Sequence, residues 1–268
     1  METTFILLAL ALLGLCFGSF VNALVWRLRK RRNFVSERSE CTHCHHVLAW
    51  YDLIPVLSWI QLRGKCRYCH KPIDDSPIVE LMTAVLFIVS YVAWPFGFVG
   101  AGLILFGLWL GALVLLMALT VYDIRWQLLP DRLVWPLIVL GGVFGLIRFY
   151  GYHGHDISTV LLQMGGGVLV ISGLYFVLHQ VSRGAWVGFG DVKLNIFIGL
   201  ILGWQQALLA IFLANLIGMI VVLPGIVLKK MSGKSRIPFG PFLILACIIA
   251  LLWGQSIIDW YLHSLLSL

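Results

Sequence analysis

Residues 81–122 read LMTAVLFIVSYVAWPFGFVGAGLILFGLWLGALVLLMALTVY, a stretch of 42 residues without one charged side chain. A helix of about 20 apolar residues crosses the hydrocarbon core of a bilayer, so this stretch is too long for a single crossing. Trp94-Pro95-Phe96-Gly97 interrupts it with residues that disfavour a continuous helix. The stretch therefore predicts two membrane-spanning helices joined by a tight turn.

The rest of the chain follows the same pattern. Hydrophobic residues make up 60% of the 268 residues and charged residues only 12%, whereas soluble domains contain roughly 45–50% and about 25%. This composition excludes a soluble enzyme, a disordered chain and a fibrous repeat. Further uncharged runs cover residues 3–26, 133–147, 157–182, 194–228 and 237–258.

Two of these runs need interpretation. The run 133–147 is short, and we expect it to extend to Tyr152 with the Arg148 side chain turned outward to the interface. The run 194–228 is too long for one span, and we expect it to divide at Gly203-Trp204-Gln205-Gln206. The sequence thus predicts an all-α polytopic membrane protein with about eight transmembrane helices.

The basic residues lie on one side of the predicted membrane. If the first helix, residues 1–26, ends in the cytoplasm, the cytoplasmic segments are about 27–77, 123–132, 183–193 and 229–240. These segments contain 18 of the 19 Lys and Arg residues, and only Arg148 lies outside them. Because Lys and Arg accumulate in cytoplasmic loops, this orientation is predicted. The net charge of +7 then reflects topology, and no nucleic-acid partner is expected.

Four cysteines stand in the one long polar segment, 27–77. Cys41-x-x-Cys44 is followed by 21 residues and then by Cys66-x-x-Cys69. Two such pairs are typical of a structural zinc site with four thiolate ligands, which would contribute most of the folding energy of so short an insert. Disulfides and a thioredoxin-like redox pair are the alternatives, and the expected reducing compartment argues against the first. Nearby histidines are alternative ligands: His43, His45, His46 and His70.

Two acids are predicted at the cytoplasmic ends of spans. Asp123 is expected at a helix C-terminus, where the helix dipole disfavours a negative charge, and Asp191 near a helix N-terminus, where it is favoured. We expect these environments to separate the two pKa values, as an acid/base pair requires, with one activated water and one protonated leaving amine. Proton relays of transporters use similar residues, and an ordinary N-cap is the alternative for Asp191. Asp131, after Pro130, we interpret as a helix cap.

Three polar side chains near the same face have simple structural interpretations. Asn22 lies in an apolar helix and is expected to form a hydrogen bond across helices. Arg27 follows at the end of that helix, and Glu80 is a first-turn acid favoured by the helix dipole.

Gly14-x-x-x-Gly18 predicts close packing of the first helix against a neighbour.

Taken together, several motifs resemble those of the type IV prepilin peptidases, and they cover nearly the whole chain in order. The amino-terminal motifs are Gly18-Ser19-Phe20-x-Asn22 with Arg27, the two cysteine pairs around Ile54-Pro55-Val56-Leu57-Ser58-Trp59, and Pro77-x-x-Glu80-Leu81. The carboxy-terminal motifs are Asp123-x5-Leu129-Pro130-Asp131, Gly188-Phe189-Gly190-Asp191-Val192-Lys193-Leu194 and Pro238-Phe239-Gly240-Pro241.

The resemblance implies a bifunctional enzyme of the bacterial inner membrane with its active site facing the cytoplasm. It would cut the basic leader from type IV prepilins and pilin-like type II secretion subunits, and then methylate the new amino terminus from S-adenosylmethionine. By motif position, Asp123 and Asp191 are the two catalytic aspartates of a Gly-x-Gly-Asp membrane protease. The hydropathy pattern divides the chain into a first helix at 1–26, an insert at 27–77 that is expected to bind zinc, and seven further helices at 78–268, which the resemblance implies are the protease core.

Some assignments stay open. The sequence contains no glycine-rich loop for S-adenosylmethionine, so its site is unknown, with Asn22, Arg27 and Glu80 as candidates. Two rival functions are a transporter and a non-catalytic membrane assembly factor, each carrying the zinc insert. A transporter would place its acids in the middle of its spans, whereas Asp123 and Asp191 are predicted at span ends.

Overall fold

The computed structural model describes residues 2–30, 38–227 and 237–266. The regular secondary structure in these ranges is helical, and their only β-structure is a pair of isolated bridges. The α-helices of the described part are α1 Glu2–Lys30, α2 Leu57–Gln61, α3 Pro77–Val92, α4 Ala101–Trp126, α5 Asp131–Leu146, α6 Ile157–Val168, α7 Leu174–Ser182, α8 Phe189–Val227 and α9 Gly240–Leu266. The basic run 27–32 and the predicted cytoplasmic segment 229–240 lie partly outside the described residues.

The helices confirm the predicted fold class. Six helical stretches are long and apolar enough to cross a membrane, and α3 is a shorter apolar helix. The longest, α8, is interrupted at Gly203, whose φ of 75° and ψ of 171° are not helical. Counted as two helices on either side of that break, α8 brings the total in the described residues to about eight. The predicted division at Gly203 is thus confirmed.

Glycine is required at this break for two reasons. Its positive φ is strained for any residue with a Cβ atom. A Cβ atom there would also lie 2.8 Å from the Gln163 Oε1 atom and 3.0 Å from the Phe149 ring. The break therefore depends on both backbone conformation and close packing.

Arg148 corrects one sequence-based expectation. Helix α5 continues through Arg148 as a π-helix, Ile147–Tyr152, as the predicted extension of this span requires. The guanidinium is not turned outward, however, because only 6% of the residue is exposed. It donates hydrogen bonds to the Ile201 carbonyl oxygen and, at 3.0 Å, to Gln206 Oε1. The expectation that Arg148 turns outward to the interface was wrong, because hydrogen-bond acceptors at the α8 break hold its guanidinium inside the protein.

The chain divides into two compact units, of which the first is Met1–Val92 with Leu113–Val121. In this unit α1 packs against α3 through two glycines. A Cβ atom at Gly14 would lie 2.5 Å from the Ala84 Cα atom, and one at Gly18 would lie 2.4 Å from the Glu80 Cα atom. The close packing predicted from Gly14-x-x-x-Gly18 is confirmed.

The second unit is Ala93–Ala112 with Tyr122–Leu268. Helix α8 is its centre and packs against α5, α6 and α9. Close approach again occurs at small residues, since a Cβ atom at Gly167 would lie 2.3 Å from the Gly199 carbonyl oxygen. The predicted segments 1–26, 27–77 and 78–268 stay predictions.

Candidate active site and metal cluster

Asp123 lies near the C-terminal end of α4 and is buried, with 5% of the residue exposed. Its Oδ2 atom accepts a hydrogen bond of 3.0 Å from the backbone N–H of Gly240, 117 residues away in the chain. Gly240 is the first residue of α9, so this N–H has no partner within its own helix. A carboxylate disfavoured at the end of α4 is therefore stabilised by the start of α9.

Asp191 lies in the first turn of α8 and is partly exposed. Its Oδ2 atom accepts a hydrogen bond of 3.2 Å from the backbone N–H of Gly188, just before the helix. This contact resembles the returning half of a capping box, in which an acid in the first turn bonds the residue before the helix. The alternative that Asp191 is an ordinary N-cap residue was therefore wrong in position, because Asp191 lies inside the first turn of α8 and Gly188 precedes the helix.

The structure brings Asp123 and Asp191 into one cluster. The Asp123 carboxyl group is hydrogen-bonded to the start of α9 and that of Asp191 to the start of α8, and these two helix starts lie against the same side chain. The Leu129 side chain contacts both segments. It lies 3.0 Å from a Cβ atom built on Gly190, next to Asp191, and 3.6 Å from one built on Gly240, which bonds Asp123. Two carboxyl groups in one cluster can share the work of general acid and general base. The expected separation of their pKa values stays a prediction.

Asp131 belongs to the same end of this unit but has another role. It is the first residue of α5, not its cap, because the cap position is occupied by Pro130. The Asp131 Oδ1 atom accepts a hydrogen bond of 2.7 Å from Lys193 Nζ. The cap interpretation was therefore wrong. The Asp131 carboxylate pairs with a lysine on α8, 62 residues away, and this partner could not be recognised from the local sequence. The pair connects the starts of α5 and α8.

The four predicted metal ligands are brought together in the first unit. The sulfur atoms of Cys41, Cys44, Cys66 and Cys69 all lie within 4.8 Å of one another. The Cys41 and Cys69 sulfurs are 3.8 Å apart, which is about the edge of a tetrahedron with zinc–sulfur bonds of ~2.3 Å. The described cysteines are all free of disulfide bonds. The cluster could hold a metal ion in a closed four-thiolate site.

The two cysteine pairs have the same backbone structure. The Cys41 N–H donates to the His46 carbonyl, and the Cys66 N–H donates to the Lys71 carbonyl. Each turn then closes on a histidine with a φ of 57°, His45 in the first pair and His70 in the second. The repeat Cys-x-x-Cys-His was visible in the sequence, although its two copies were not recognised there as one repeated turn.

The electrostatics of the cluster also favour a cation. Burial raises the pKa of Cys41, but hydrogen bonds from the backbone of Cys44 and His43 and from neighbouring thiols lower it to about 6. A backbone contact with Lys71 lowers the pKa of Cys69, yet burial and the surrounding thiols raise it to about 11. One thiolate therefore forms easily, whereas a full set of thiolates needs a bound cation.

A cavity of about 500 Å³ lies in the same unit, beside the cluster. All three candidate cofactor residues line it, namely Asn22, Arg27 and Glu80. It has further carboxylates (Glu40, Asp52, Asp74, Asp75) and aromatic rings (Phe20, Trp26, Trp59). The volume lies within the range of small-molecule sites.

Two side chains of the cavity are held in unusual environments. Asn22 is 5% exposed and donates to the Ser76 carbonyl, a contact to the chain before α3, while its buried Oδ1 atom has no partner among the described residues. Glu80 is 9% exposed, and its Oε2 atom accepts a hydrogen bond of 2.6 Å from the Val56 N–H. The first-turn acid predicted from sequence thus also fastens the insert to α3.

Comparison with known proteins extends these observations over the chain. Residues 12–94 match the model of the bacterial peptidase A24 N-terminal domain, and residues 110–223 match that of the type IV leader peptidase family. The chain belongs to the type IV leader peptidase family. The family resemblance read from the motifs is therefore confirmed, and the chain is a peptidase by family.

Several relatives of this family are similar over most of their length. A protein of Aeromonas salmonicida is 34% identical, covering 95% of this chain and 93% of its own. One of Pseudomonas aeruginosa is 36% identical, covering 94% and 92%. One of Aeromonas hydrophila is 37% identical, covering 87% and 78%. Each is named prepilin leader peptidase/N-methyltransferase. No solved structure matches the chain significantly.

Proposed function

We propose that this chain cleaves the basic leader peptide from type IV prepilins and pilin-like type II secretion subunits, with Asp123 and Asp191 as the catalytic pair. The observation that carries the proposal is geometric: the Gly240 N–H holds the Asp123 carboxyl group, the Gly188 N–H holds that of Asp191, and both glycine segments pack against the Leu129 side chain. Family membership and the names of the relatives support the same reaction. A transporter or a non-catalytic assembly factor would explain neither the arrangement of the two carboxyl groups nor the membership in a peptidase family.

In the proposed mechanism a water molecule lies between the two carboxyl groups. One carboxylate takes a proton from the water as its oxygen attacks the scissile carbonyl carbon. The other, protonated, gives its proton to the leaving amine nitrogen as the carbon–nitrogen bond breaks. The Gly240 N–H holds the Asp123 carboxyl group through one oxygen, which leaves the second oxygen for the water.

We place this site at the cytoplasmic face of the bacterial inner membrane. The support is the distribution of charge, since 18 of the 19 Lys and Arg residues fall in the segments assigned to that side. A substrate whose hydrophobic helix follows a basic leader would then present its cleavage bond at the same interface.

The experiment is cleavage of a purified prepilin by the full-length protein in detergent. We expect Asp123→Asn and Asp191→Asn each to lower the rate by roughly 10²–10⁴-fold, the range of acid/base catalysis. Asp131→Asn is the matched control, because this acid lies in the same unit but is paired with Lys193, and it should retain cleavage. Wild-type cleavage by either Asn variant of the pair would refute the assignment.

We further propose that the chain N-methylates the new amino terminus and that the methyl donor binds in the cavity of the first unit. S-adenosylmethionine, when bound, supplies the methyl group. The residues present fit it: aromatic rings to stack on adenine, carboxylates to accept hydrogen bonds from ribose and amine groups, and Arg27 to bind its carboxylate. The partnerless Asn22 Oδ1 atom would accept one further donor of the ligand.

We propose zinc as a structural ion in the four-cysteine cluster. A closed site with four protein ligands leaves no position for a reacting water. Metal analysis of the purified chain should give one zinc ion per chain, which Cys66→Ser should release together with a loss of thermal stability. Cys16→Ser, which removes a thiol outside the cluster, should retain the ion. A zinc-free wild-type protein of full stability would contradict this role.

A further inference from the structure

The segment between the two cysteine pairs has two different faces. One face, formed by Asp52, Pro55, Ser58 and Leu62, lines the cavity of the first unit. The other face is apolar and exposed. We call it the outer face of the insert; its exposed residues are Trp50 (77%), Tyr51 (41%), Ile54 (36%), Leu57 (66%) and Ile60 (60%).

This outer face is held rigidly. At its start, Asp52 accepts hydrogen bonds from Arg67 and Tyr68 of the second cysteine pair. In the middle, the Val56 N–H donates to Glu80 on α3. At its end, the Gly64 N–H donates to the Trp59 carbonyl. A mobile loop could bury its apolar side chains against the protein, but a segment held in this way cannot. Its exposed apolar side chains therefore mark an interaction surface.

The position of the segment points to the bilayer. Helices α1 and α3 run antiparallel, since Gly14 meets Ala84 and Gly18 meets Glu80. The C-terminal end of α1 and the first turn of α3 therefore leave the membrane on the same side. The bond from Val56 to Glu80 fixes the segment within one turn of the start of α3, and Leu57 is the next residue along the chain.

The composition and charge of the segment point to the same occupant. Tryptophan and tyrosine are enriched where apolar side chains meet lipid headgroups. The chain that follows carries Arg63, Lys65 and Lys71, all exposed, while the nearby Asp52 side chain is paired with Arg67 and only 2% exposed. An apolar face bordered by exposed basic side chains is suited to an anionic membrane surface.

We propose that the outer face of the insert lies on the surface of the membrane that the chain spans, with Trp50, Leu57 and Ile60 in the interfacial region and the basic residues at anionic headgroups. The insert is then a peripheral membrane-binding element and does not project freely from the bilayer. This inference requires only that the chain is embedded in a membrane, so it is independent of the proposed cleavage chemistry.

The first test places a photo-crosslinking amino acid at Leu57 of the full-length protein, in nanodiscs of equal parts phosphatidylcholine and phosphatidylglycerol. The control carries the same amino acid at His45, an exposed position in the first cysteine turn. We expect several-fold more lipid adducts at position 57 than at 45. Equal yields would overturn the proposal. So would adducts at position 57 to a second copy of the chain, or to added prepilin in place of lipid.

The second test needs no crosslinker. Lipids brominated near the headgroup quench tryptophans in the interfacial region, so the wild-type protein should lose more fluorescence than Trp50→Phe does. Bromine atoms deep in the acyl chains should quench this Trp50 contribution several-fold less. If shallow bromines quench wild type and variant to the same extent, Trp50 lies in water and the proposal fails. A variant with unchanged thermal unfolding keeps this comparison valid.

Discussion

At the residue scale, Asp123 shows how a site can contradict the local preference of its own helix. Its place near the end of α4 is electrostatically poor for an acid. The compensation is the N–H of Gly240 at the start of α9, which makes Asp123 a cap supplied to one helix by another. Such a contact spans 117 residues, so no local pattern in the sequence could predict it.

Gly240 is therefore expected to be essential for cleavage, although it has no side chain. A Cβ atom there would lie 2.6 Å from Asp123 Oδ2, so Gly240→Ala must displace the carboxyl group. A displacement near 1 Å costs roughly 10²-fold in rate, and we expect a loss of that order in the prepilin cleavage assay.

The matched control is Gly111→Ala in α4, where the nearest atom to the new Cβ would be 3.8 Å away. It should cleave at the wild-type rate. Equal rates for Gly240→Ala and wild type would mean that the carboxyl group is free to move without cost.

At the element scale, helices meet where glycines allow their backbones to touch. A Cβ atom built on Gly18 would lie 2.4 Å from the Glu80 Cα atom. Backbone atoms cannot move aside as a flexible side chain can. We expect Gly18→Ala to separate α1 from α3 and to lower the free energy of unfolding by about 1–3 kcal/mol, as overpacking does. Thermal unfolding in detergent measures this.

Gly165→Ala is the control for Gly18, because a Cβ atom there meets nothing within 4 Å. With no clash, an alanine in a helix is neutral or slightly stabilising. A loss of stability at Gly165 equal to that at Gly18 would show that helix packing is not the cause.

The break in α8 is the second feature of this scale, and Arg148 stabilises it from α5. The guanidinium satisfies the Ile201 carbonyl before the break and the Gln206 amide after it, and it stacks on the rings of Phe96 and Phe149. Arg148→Leu would leave buried acceptors unpaired, which costs about 1–3 kcal/mol for each group. We expect a clearly lowered melting temperature in detergent.

Arg132→Leu serves as the comparison for Arg148. Arg132 is exposed at the start of α5, and its replacement should change stability by no more than about 0.5 kcal/mol. Similar melting temperatures for the two variants would contradict the structural role of Arg148.

These elements also show what sequence could and could not predict. Runs of apolar residues and the interruptions at Trp94-Pro95-Phe96-Gly97 and Gly203 predicted the helices, because hydropathy and backbone conformation are local properties. The two Cys-x-x-Cys pairs predicted the four-cysteine cluster, because their spacing in the sequence is typical of a zinc site. Arg148 and Asp131 were misassigned because their partners lie on α8, and the cavity could not be foreseen because it is enclosed by chain that is distant in sequence.

At the scale of the whole molecule, the two compact units coincide with two proposed activities. The cavity and the cysteine cluster belong to the first unit, whereas both aspartates belong to the second. A bifunctional chain built in this way should allow one activity to be lost without the other.

Glu80→Gln is expected to separate them. It removes a charge that borders the cavity but can still accept the hydrogen bond from Val56, so the fold should be retained. Methylation of a pilin that has already been cleaved should fall at least tenfold, about 1.4 kcal/mol for the loss of one charged contact, while prepilin cleavage stays at the wild-type rate.

Asp123→Asn should show the reverse result, with methylation of the cleaved pilin intact and prepilin cleavage lost. If Glu80→Gln impairs cleavage as strongly as methylation, the two units do not act separately. Direct binding of S-adenosylmethionine to both variants distinguishes loss of the donor site from loss of the reaction.

The contact of Arg148 with α8 also has a consequence for the order in which the chain is made. Gln206 is 58 residues downstream of Arg148, so the ribosome needs roughly 3–12 s after Arg148 to supply this partner. Throughout that interval a positive charge at the end of a hydrophobic helix lacks its final acceptors. We therefore expect the Arg148 side chain to reach its buried position only after the second half of α8 has been synthesised. The burial of one arginine thus makes the final packing of α5 depend on a helix that is synthesised later.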